Sequence, residues 1–283
     1  MRAPAPGAPG VPEATDVKAY EGYLFDLDGT IYLGDELLPG AEDLIRGLRS
    51  SGRETLFLSN NPTKDPQMYA DKLTRLGLAT SPERIVNPLV TIVAWLRREA
   101  PGAAVFVIGE DPLVRAISAA GFRLTEDPRE IDVVVASYDR GFDYRKLQIA
   151  FDALWQYRRA RLVATNPDAY CPMPQGRGEP DAAAVIAAIE ASTGAKCEAN
   201  VGKPAAVMLT TALEVLGLPG AQCLMVGDRL HTDIAMAASA GIDSALVLTG
   251  ESTEEMARQL PRDRQPTYIL PRIDALLAPF AGA

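Results

Sequence analysis

The sequence predicts an α/β protein made of two modules, the second inserted into the first. Three observations carry this reading. Short apolar runs alternate with helical patterns at the spacing of parallel βαβ units. The alternation breaks at Pro101-Gly102 and restarts beyond it. After about Cys197 the pattern of the first module resumes. The outer module is expected to span residues 16–100 and 198–283 and the insert residues 101–197, each boundary to within about ten residues. Residues 1–15, rich in Ala, Pro and Gly, are expected to form a disordered tail.

The first strand is the apolar run Tyr23-Leu24-Phe25, and it leads into Asp26-Leu27-Asp28-Gly29-Thr30. Residues two apart in extended chain point to the same face, so the Asp26 and Asp28 carboxylates crowd one spot. Like charges that close destabilise each other unless a cation or a donor compensates. A hard divalent cation fits: Mg²⁺ takes one or two carboxylates together with phosphate oxygens and waters. The plainer alternative is a solvated Asp-Gly turn. Ile31–Leu38 sets Gly34-Asp35 between apolar pairs, which signals a small hairpin. Pro39-Gly40 opens a helical pattern with Ala41, Leu44, Ile45 and Leu48 on one face. Thr55–Leu58 reads as a second buried strand and stops at Ser59-Asn60-Asn61. Helices are expected over Asp65–Leu76 and Leu89–Glu99.

Inside the insert the order is strand Val105–Ile108, helix Leu113–Ala120, strand Val133–Ala136, helix Tyr144–Tyr157 and strand Leu162–Ala164. Asn166–Pro180, thick with Pro and Gly, reads as a loop, and the helix Ala182–Ala191 follows Asp181. The first module resumes with Val201-Gly202-Lys203-Pro204 and a helix from Ala205 to Leu216, Pro204 suiting its first position. Cys223–Val226 is a strand running into Gly227-Asp228. A helix over Thr232–Ala240 and strands over Ser244–Leu248 and Tyr268–Leu270 complete the chain.

Composition narrows the function. The formal net charge is −9 and there is no Lys/Arg block, so no nucleic-acid partner is expected. Cys171, Cys197 and Cys223 form no Cys-x-x-Cys pair, which argues against a zinc site or a disulfide framework and for a reducing, cytoplasmic setting. Met1–Thr15 has no apolar h-region and no run approaches a membrane span, so neither a secretory signal nor membrane insertion is expected. His231 is the only histidine. That removes Ser-His-Asp, Cys-His and His-metal mechanisms, and His231 itself is expected to face solvent or serve structure. Arg229 is expected to be a salt-bridge partner. Gly176-Arg177-Gly178 does not follow a strand as a dinucleotide loop must.

Four polar clusters stand where strands end or helices begin: Asp26/Asp28, Ser59-Asn60-Asn61, Lys203 and Asp228/Asp233. Ligands of parallel sheets bind at the carboxyl ends of strands, so the clusters are expected to converge on one crevice. Asp228 adds a third carboxylate for Mg²⁺. Ser59 and Asn60 offer donors to phosphate oxygens and Lys203 a point charge.

These motifs resemble those of the haloacid dehalogenase superfamily, matched at Asp26-Leu27-Asp28-Gly29-Thr30, Ser59-Asn60, Lys203 and Gly227–Asp233. The insert resembles the type-2 cap of the NagD-like, 4-nitrophenylphosphatase-like branch, and so do Ala164-Thr165-Asn166-Pro167-Asp168 and Val201-Gly202-Lys203-Pro204. The resemblance runs from Val17 to the C-terminus. It implies a Rossmann-like parallel-sheet core with an inserted α/β cap domain, and a Mg²⁺-dependent phosphomonoesterase acting through an aspartyl-phosphate. Asp26 is implied as nucleophile and Asp28 as general acid and base. Mg²⁺ would sit on the Asp26 and Asp228 carboxylates and the Asp28 backbone carbonyl, with Asp233 orienting the site. Phosphate falls to Ser59, Asn60 and Lys203. The leaving group would be read by cap residues after strands: Tyr138, Arg140, Tyr170 and Cys171. A homodimer through the cap is a further expectation.

Two departures bear on substrate. Glu179-Pro180-Asp181 stands where many relatives have a Pro-Gly pair. The arabinose-operon sugar phosphatase also carries Asp there, which favours a sugar or polyol phosphate. Cys171 falls where vertebrate pyridoxal-phosphate phosphatases carry His, which argues against that substrate. A phosphotransferase or mutase of the same superfamily and a catalytically silent binding protein remain as alternatives.

Overall fold

The computed structural model describes residues 17–173 and 176–280; the expected tail at 1–15 lies outside them. The chain divides into two compact units, residues 1–55 with 218–283, and residues 56–217.

The first unit is built on a parallel sheet. Tyr268–Leu270, Asp243–Val247, Cys223–Gly227 and Gly22–Asp26 lie side by side in that order, and the start of Glu54–Leu58 follows. Phe25 pairs with Val226, and Gly227 with Leu246. Every residue of Gly22–Asp26 is buried. A strand covered on both faces reads as a continuous apolar run rather than an alternating one, which is why Tyr23-Leu24-Phe25 is legible as central. Each such buried side chain contributes roughly 1.5–3 kcal/mol. The helix Ala41–Ser50 buries Ala41, Leu44, Ile45 and Leu48 and packs against the 3₁₀ turns of Ile273–Phe280. The small hairpin pairs Tyr32 with Leu37 and Leu33 with Glu36.

The second unit begins with the remainder of Glu54–Leu58, where Phe57 and Leu58 pair with Ile85 and Val86. Its main sheet is five parallel strands in the order Ala199–Asn200, Arg161–Ala164, Val133–Ala136, Ala104–Ile108 and Arg123–Leu124. Side chains alternate across it. Val105, Val133, Val135 and Val163 meet the helices Pro88–Glu99, Asp111–Ala119 and Ala206–Leu216 on one face. Phe106, Ile108, Val134 and Leu162 meet Tyr144–Phe151 and Ala182–Thr193 on the other. The helix starts follow local chemistry. Asp65 accepts Met68 N–H before Pro66 and Asn87 accepts Val90 N–H before Pro88, so a side-chain cap is followed by proline at the first position.

Beyond the two-residue strands Ile85–Val86, Arg123–Leu124 and Ala199–Asn200, too short to announce themselves, the structure differs from the sequence reading in five places. Asn166–Pro180 is not a plain loop: Tyr170–Met173 and Arg177–Pro180 form an antiparallel ribbon. Pro172 and Pro180 demote a strand reading, yet a two-stranded ribbon is all edge and tolerates them. The expected helix Tyr144–Tyr157 is α-helical to Phe151 and then widens into a π-turn at Asp152–Gln156. The expected helix Thr232–Ala240 starts as a π-turn at Leu230–Ile234 and is α-helical over Ala235–Ser239. Pro204 precedes the helix that begins at Ala206 rather than opening it. The short helix Glu254–Gln259, capped by Thr253, has no long apolar stripe to announce it.

Candidate active site

In the first unit the strand Gly22–Asp26 ends on Asp26, and the chain then closes a tight turn. The Leu27 carbonyl accepts the N–H groups of Thr30, Ile31 and Tyr32 at 3.3, 2.9 and 3.2 Å. Gly29 N–H donates to Tyr32 O at 2.8 Å, and Gly29 holds a φ of 89°, a left-handed conformation that costs a residue with a Cβ. Asp228 directly follows the strand Cys223–Gly227. The strand Asp243–Val247 ends in a loop that clamps both neighbours. Thr249 Oγ1 donates to Gly29 O at 2.7 Å, Glu251 N–H to Asp228 Oδ2 at 2.8 Å and Ser252 N–H to Asp228 O at 3.1 Å. A Cβ on Gly250 would stand 2.0 Å from Asp228 Oδ2, so only glycine fits there.

This turn-and-loop arrangement buries three carboxylates together. Asp26, Asp228 and Asp233 each bring a carboxylate oxygen within 4.8 Å of the others, and all three are buried. Asp233 Oδ2 also accepts Arg229 N–H at 3.2 Å. Buried like charges at this spacing need a compensating positive charge. A set of hard oxygen donors suits a hard divalent cation such as Mg²⁺, so the residues present fit the metal that the sequence pattern implies. Asp28, by contrast, has its side chain at the surface.

Arg229 is half committed to the same cluster. Burial disfavours its charge, but Asp228, Glu251, Asp26 and Asp233 outweigh that and raise its pKa. Its Nε lies 3.2 Å from Glu251. His231, its side chain 63% exposed, also faces Glu251. Both are therefore placed as the sequence predicts, Arg229 as an ion-pair partner and His231 toward solvent.

The second unit gathers the polar residues that follow its strands. Ser59 is buried, and its Oγ is 2.9 Å from Tyr69 OH and accepts Asn61 N–H at 3.3 Å. Asn60 is tied to Lys203. Its Oδ1 accepts Lys203 N–H at 2.7 Å, and its Nδ2 donates to Lys203 O at 3.2 Å and to Asp168 Oδ2 at 2.7 Å. Lys203 is 2% exposed. Asn166 Nδ2 donates to Asp168 Oδ2 and to Asp181 Oδ1 at 3.1 and 3.0 Å. Burial pushes the Asp181 carboxyl up to about 6, with Asp168 adding to it, against the hydrogen bonds from Asn166 and Ala182 N–H.

The expected leaving-group readers fall into two kinds. Tyr138 is buried, and its hydroxyl donates to Glu179; burial and that bond raise the phenol's pKa. Arg140 forks onto Glu110 at 2.6 and 2.8 Å and lies 5.5 Å from the centre of the Tyr138 ring. Its guanidinium holds Glu110 below the usual carboxylate range. Tyr170 is 62% exposed on the ribbon. Beside it Cys171 Sγ accepts Asn61 Nδ2 at 3.9 Å.

Sequence reasoning missed Gly250 and Glu251 as the support of Asp228, and Glu110 and Glu179 as partners of Arg140 and Tyr138. Thr249-Gly250 just after a strand is the signal that could have found the first pair. The second pair is 30 and 41 residues from its partners and leaves no local trace. Among the described residues, no helix is long and apolar enough to cross a membrane.

Comparison with known proteins gives the family. The model of the haloacid dehalogenase-like hydrolase family matches residues 23–123, and a second, HAD-hydrolase-like model matches residues 200–276. An acid sugar phosphatase of Staphylococcus aureus is 33% identical over 262 residues, 93% of this chain and 98% of that protein. The crystal structure of a 4-nitrophenylphosphatase from Thermotoga maritima superposes with a TM-score of 0.84 at 32% identity, covering 93% of this chain and 98% of that one. NagD from Escherichia coli superposes with a TM-score of 0.82 at 26% identity, covering 91% and 98%.

Proposed function

The chain belongs to the haloacid dehalogenase superfamily, in its NagD-like, 4-nitrophenylphosphatase-like branch, and from that premise we propose that it is a Mg²⁺-dependent phosphatase of small phosphorylated metabolites. Sugar or polyol phosphates are the favoured substrates. The acid sugar phosphatase among its relatives supports this, as does Glu179-Pro180-Asp181 where many relatives have a Pro-Gly pair. The observation that carries the reading is the buried cluster of Asp26 and Asp228, at the ends of two neighbouring strands, with Asp233 from the π-turn that follows.

In the mechanism, the Asp26 carboxylate attacks phosphorus and forms an aspartyl-phosphate as the bond between phosphorus and the ester oxygen breaks, the oxygen leaving with the alcohol. Asp28 gives its proton to the departing alkoxide, then takes a proton from the water that attacks the aspartyl-phosphate. The exposed position of Asp28 lets it exchange protons with solvent. Asp26, Asp228 and the Asp28 carbonyl would hold Mg²⁺, which supplies positive charge to the phosphoryl oxygens, and Asp233 would orient that set through Arg229 N–H. Ser59 Oγ, the Asn60 N–H and the Lys203 ammonium take the phosphate oxygens. The Asn60 side chain is occupied with Lys203 and Asp168, so its backbone is the part assigned to phosphate.

Residues 101–197 are assigned as the cap that reads the leaving group, with residues 16–100 and 198–283 as the catalytic core. Tyr170, Cys171, Tyr138 and Arg140 are its candidate readers, and a cap-to-cap homodimer is part of the proposal. The test is phosphate release from 4-nitrophenyl phosphate and from a panel of sugar and polyol phosphates, in EDTA and in Mg²⁺. Turnover should need Mg²⁺ and be fastest on a sugar or polyol phosphate. Equal turnover in EDTA sinks the metal, and a best substrate outside that class sinks the substrate assignment.

A further inference from the structure

A line of hydrogen-bonded side chains in the second unit leads from a helix cap to the main chain of Lys203. Asp181, which caps Ala182–Thr193, is 5% exposed and accepts Asn166 Nδ2 at 3.0 Å. The same amide reaches Asp168 Oδ2 at 3.1 Å. That oxygen also accepts Asn60 Nδ2 at 2.7 Å, and Asn60 holds both main-chain groups of Lys203. Asn166 is fully buried and its own Oδ1 accepts Thr165 Oγ1 at 2.8 Å, which fixes which way its amide points. A buried polar group that loses its partner costs about 1–3 kcal/mol, so each member holds the next to one arrangement.

The packing beside Lys203 is a second, independent observation. A Cβ on Gly202 would stand 2.5 Å from Asn60 Oδ1, 2.6 Å from Thr165 O and 3.1 Å from Asn166 Cβ. The residue before Lys203 is thus pressed directly onto the same side chains, and a shift in Asn166 or Asn60 is passed to the backbone at 202–203.

We propose that Asp181 is a positioning residue: through Asn166, Asp168 and Asn60 it fixes the main chain at Lys203, and with it the place at which the ammonium meets the phosphate. This rests on the reading that Lys203 binds phosphate. Asp181 itself touches no reacting atom. Its role also accounts for an acid at a buried position whose local task, capping a helix, a serine performs as well.

The experiment uses the full chain with Mg²⁺ and 4-nitrophenyl phosphate, and compares wild type with Asp181→Ser, Asp181→Asn, Lys203→Ala and the double variant Asp181→Ser/Lys203→Ala. Serine keeps the cap but does not reach Asn166, whereas asparagine keeps an acceptor for it. Asp181→Ser should lower kcat/KM on the order of tenfold, below the ~10²-fold that a 1 Å misplacement can cost, and Asp181→Asn should restore it to within about threefold. In the Lys203→Ala background, Asp181→Ser should change kcat/KM by less than about twofold, because the group being positioned is gone. Multiplicative losses in the double variant, or wild-type kcat/KM in Asp181→Ser, overturn the proposal while leaving Lys203 as phosphate ligand. Wild-type kcat/KM in Lys203→Ala overturns that reading and the proposal with it. Gly202→Ala, which drives a methyl into Asn60 and Thr165, gives an independent variant: its loss should likewise vanish when Lys203 is absent.

Discussion

Asn60 brackets Lys203: its side-chain oxygen accepts the Lys203 N–H at 2.7 Å and its side-chain nitrogen donates to the Lys203 carbonyl at 3.2 Å. A side-chain amide that pairs with a main-chain N–H and C=O in this way replaces a strand partner. It holds a buried lysine on a loop that has no regular structure of its own. Asn60→Ala removes these bonds and the one to Asp168, and should cost about 1–3 kcal/mol of stability. Asn60→Asp should be worse, since it keeps the acceptor but turns a carboxylate oxygen toward the Lys203 carbonyl and the Asp168 carboxylate. Thermal unfolding of both variants checks this. An Asp variant as stable as wild type would mean that the amide does not lie between these groups.

The buried carboxylates make a prediction about metal that needs no turnover. A ligand that binds only the folded state raises stability by about 2.7 kcal/mol at a hundred times its Kd, so Mg²⁺ should raise the wild-type Tm. Asp228→Asn should lose most of that shift. In EDTA the same variant should unfold at or above the wild-type temperature, because one of three crowded charges has gone. An undiminished Mg²⁺ shift in Asp228→Asn would remove Asp228 from the metal site.

The chemistry separates Asp26 from Asp28. Asp26→Asn keeps the shape but removes the attacking oxygen's charge, and should lower turnover by at least ~10³-fold. Asp28→Asn leaves the attack possible on a good leaving group but slows hydrolysis of the intermediate. Intact-mass measurement on quenched Asp28→Asn with 4-nitrophenyl phosphate should therefore find a phosphoryl adduct. Asp26→Asn turnover within tenfold of wild type, or wild-type rates of Asp28→Asn on an alkyl phosphate, would undo the respective assignment.

The four cap candidates should not behave alike. Tyr170 is largely exposed, whereas Tyr138 is buried with its hydroxyl on Glu179. Tyr170→Ala should lower kcat/KM for the best sugar phosphate by an amount on the order of 1–3 kcal/mol, with 4-nitrophenyl phosphate and the Tm little changed. Tyr138→Phe should lower the Tm, since it takes the donor from Glu179 and loosens the ribbon's hold. Equal loss on both substrates in Tyr170→Ala would make that residue part of the scaffold.

Most of the fold was legible because its signals are local. Tyr23–Phe25 and Val133–Ala136 are unbroken apolar runs, and Asp65-Pro66 and Asn87-Pro88 announce their helices. Asp26 and Asp228 were legible because they stand where apolar strands end. What escaped depends on partners far along the chain. The Asn166–Pro180 ribbon carries prolines that argue locally against strands, and it forms because it closes on itself. Tyr138 and Arg140 follow a strand, as a substrate reader would, yet the structure gives their polar ends to Glu179 and Glu110. Gly250 looks like any loop glycine until Asp228 is placed against it.

Asp181 gives a prediction whose sign depends on pH. Its folded-state pKa is raised to about 6 from the usual 3.8, chiefly by burial. A carboxyl raised in the folded state binds its proton more tightly there than in the unfolded chain. The stability this confers is fully present below about pH 3.8 and is lost as pH rises through about 6. Above that, the charged form is buried at a cost of up to about 3 kcal/mol, from ~1.4 kcal/mol per pKa unit. Asp181→Asn keeps an acceptor for Asn166 without the charge, so it should raise the Tm at pH 8, and the gain should shrink as pH falls to 5 and below. Thermal unfolding of wild type and Asp181→Asn across that range is the measurement. A Tm difference that does not vary with pH, or one that grows on acidification, would show that Asp181 is not held as a buried, proton-seeking carboxyl.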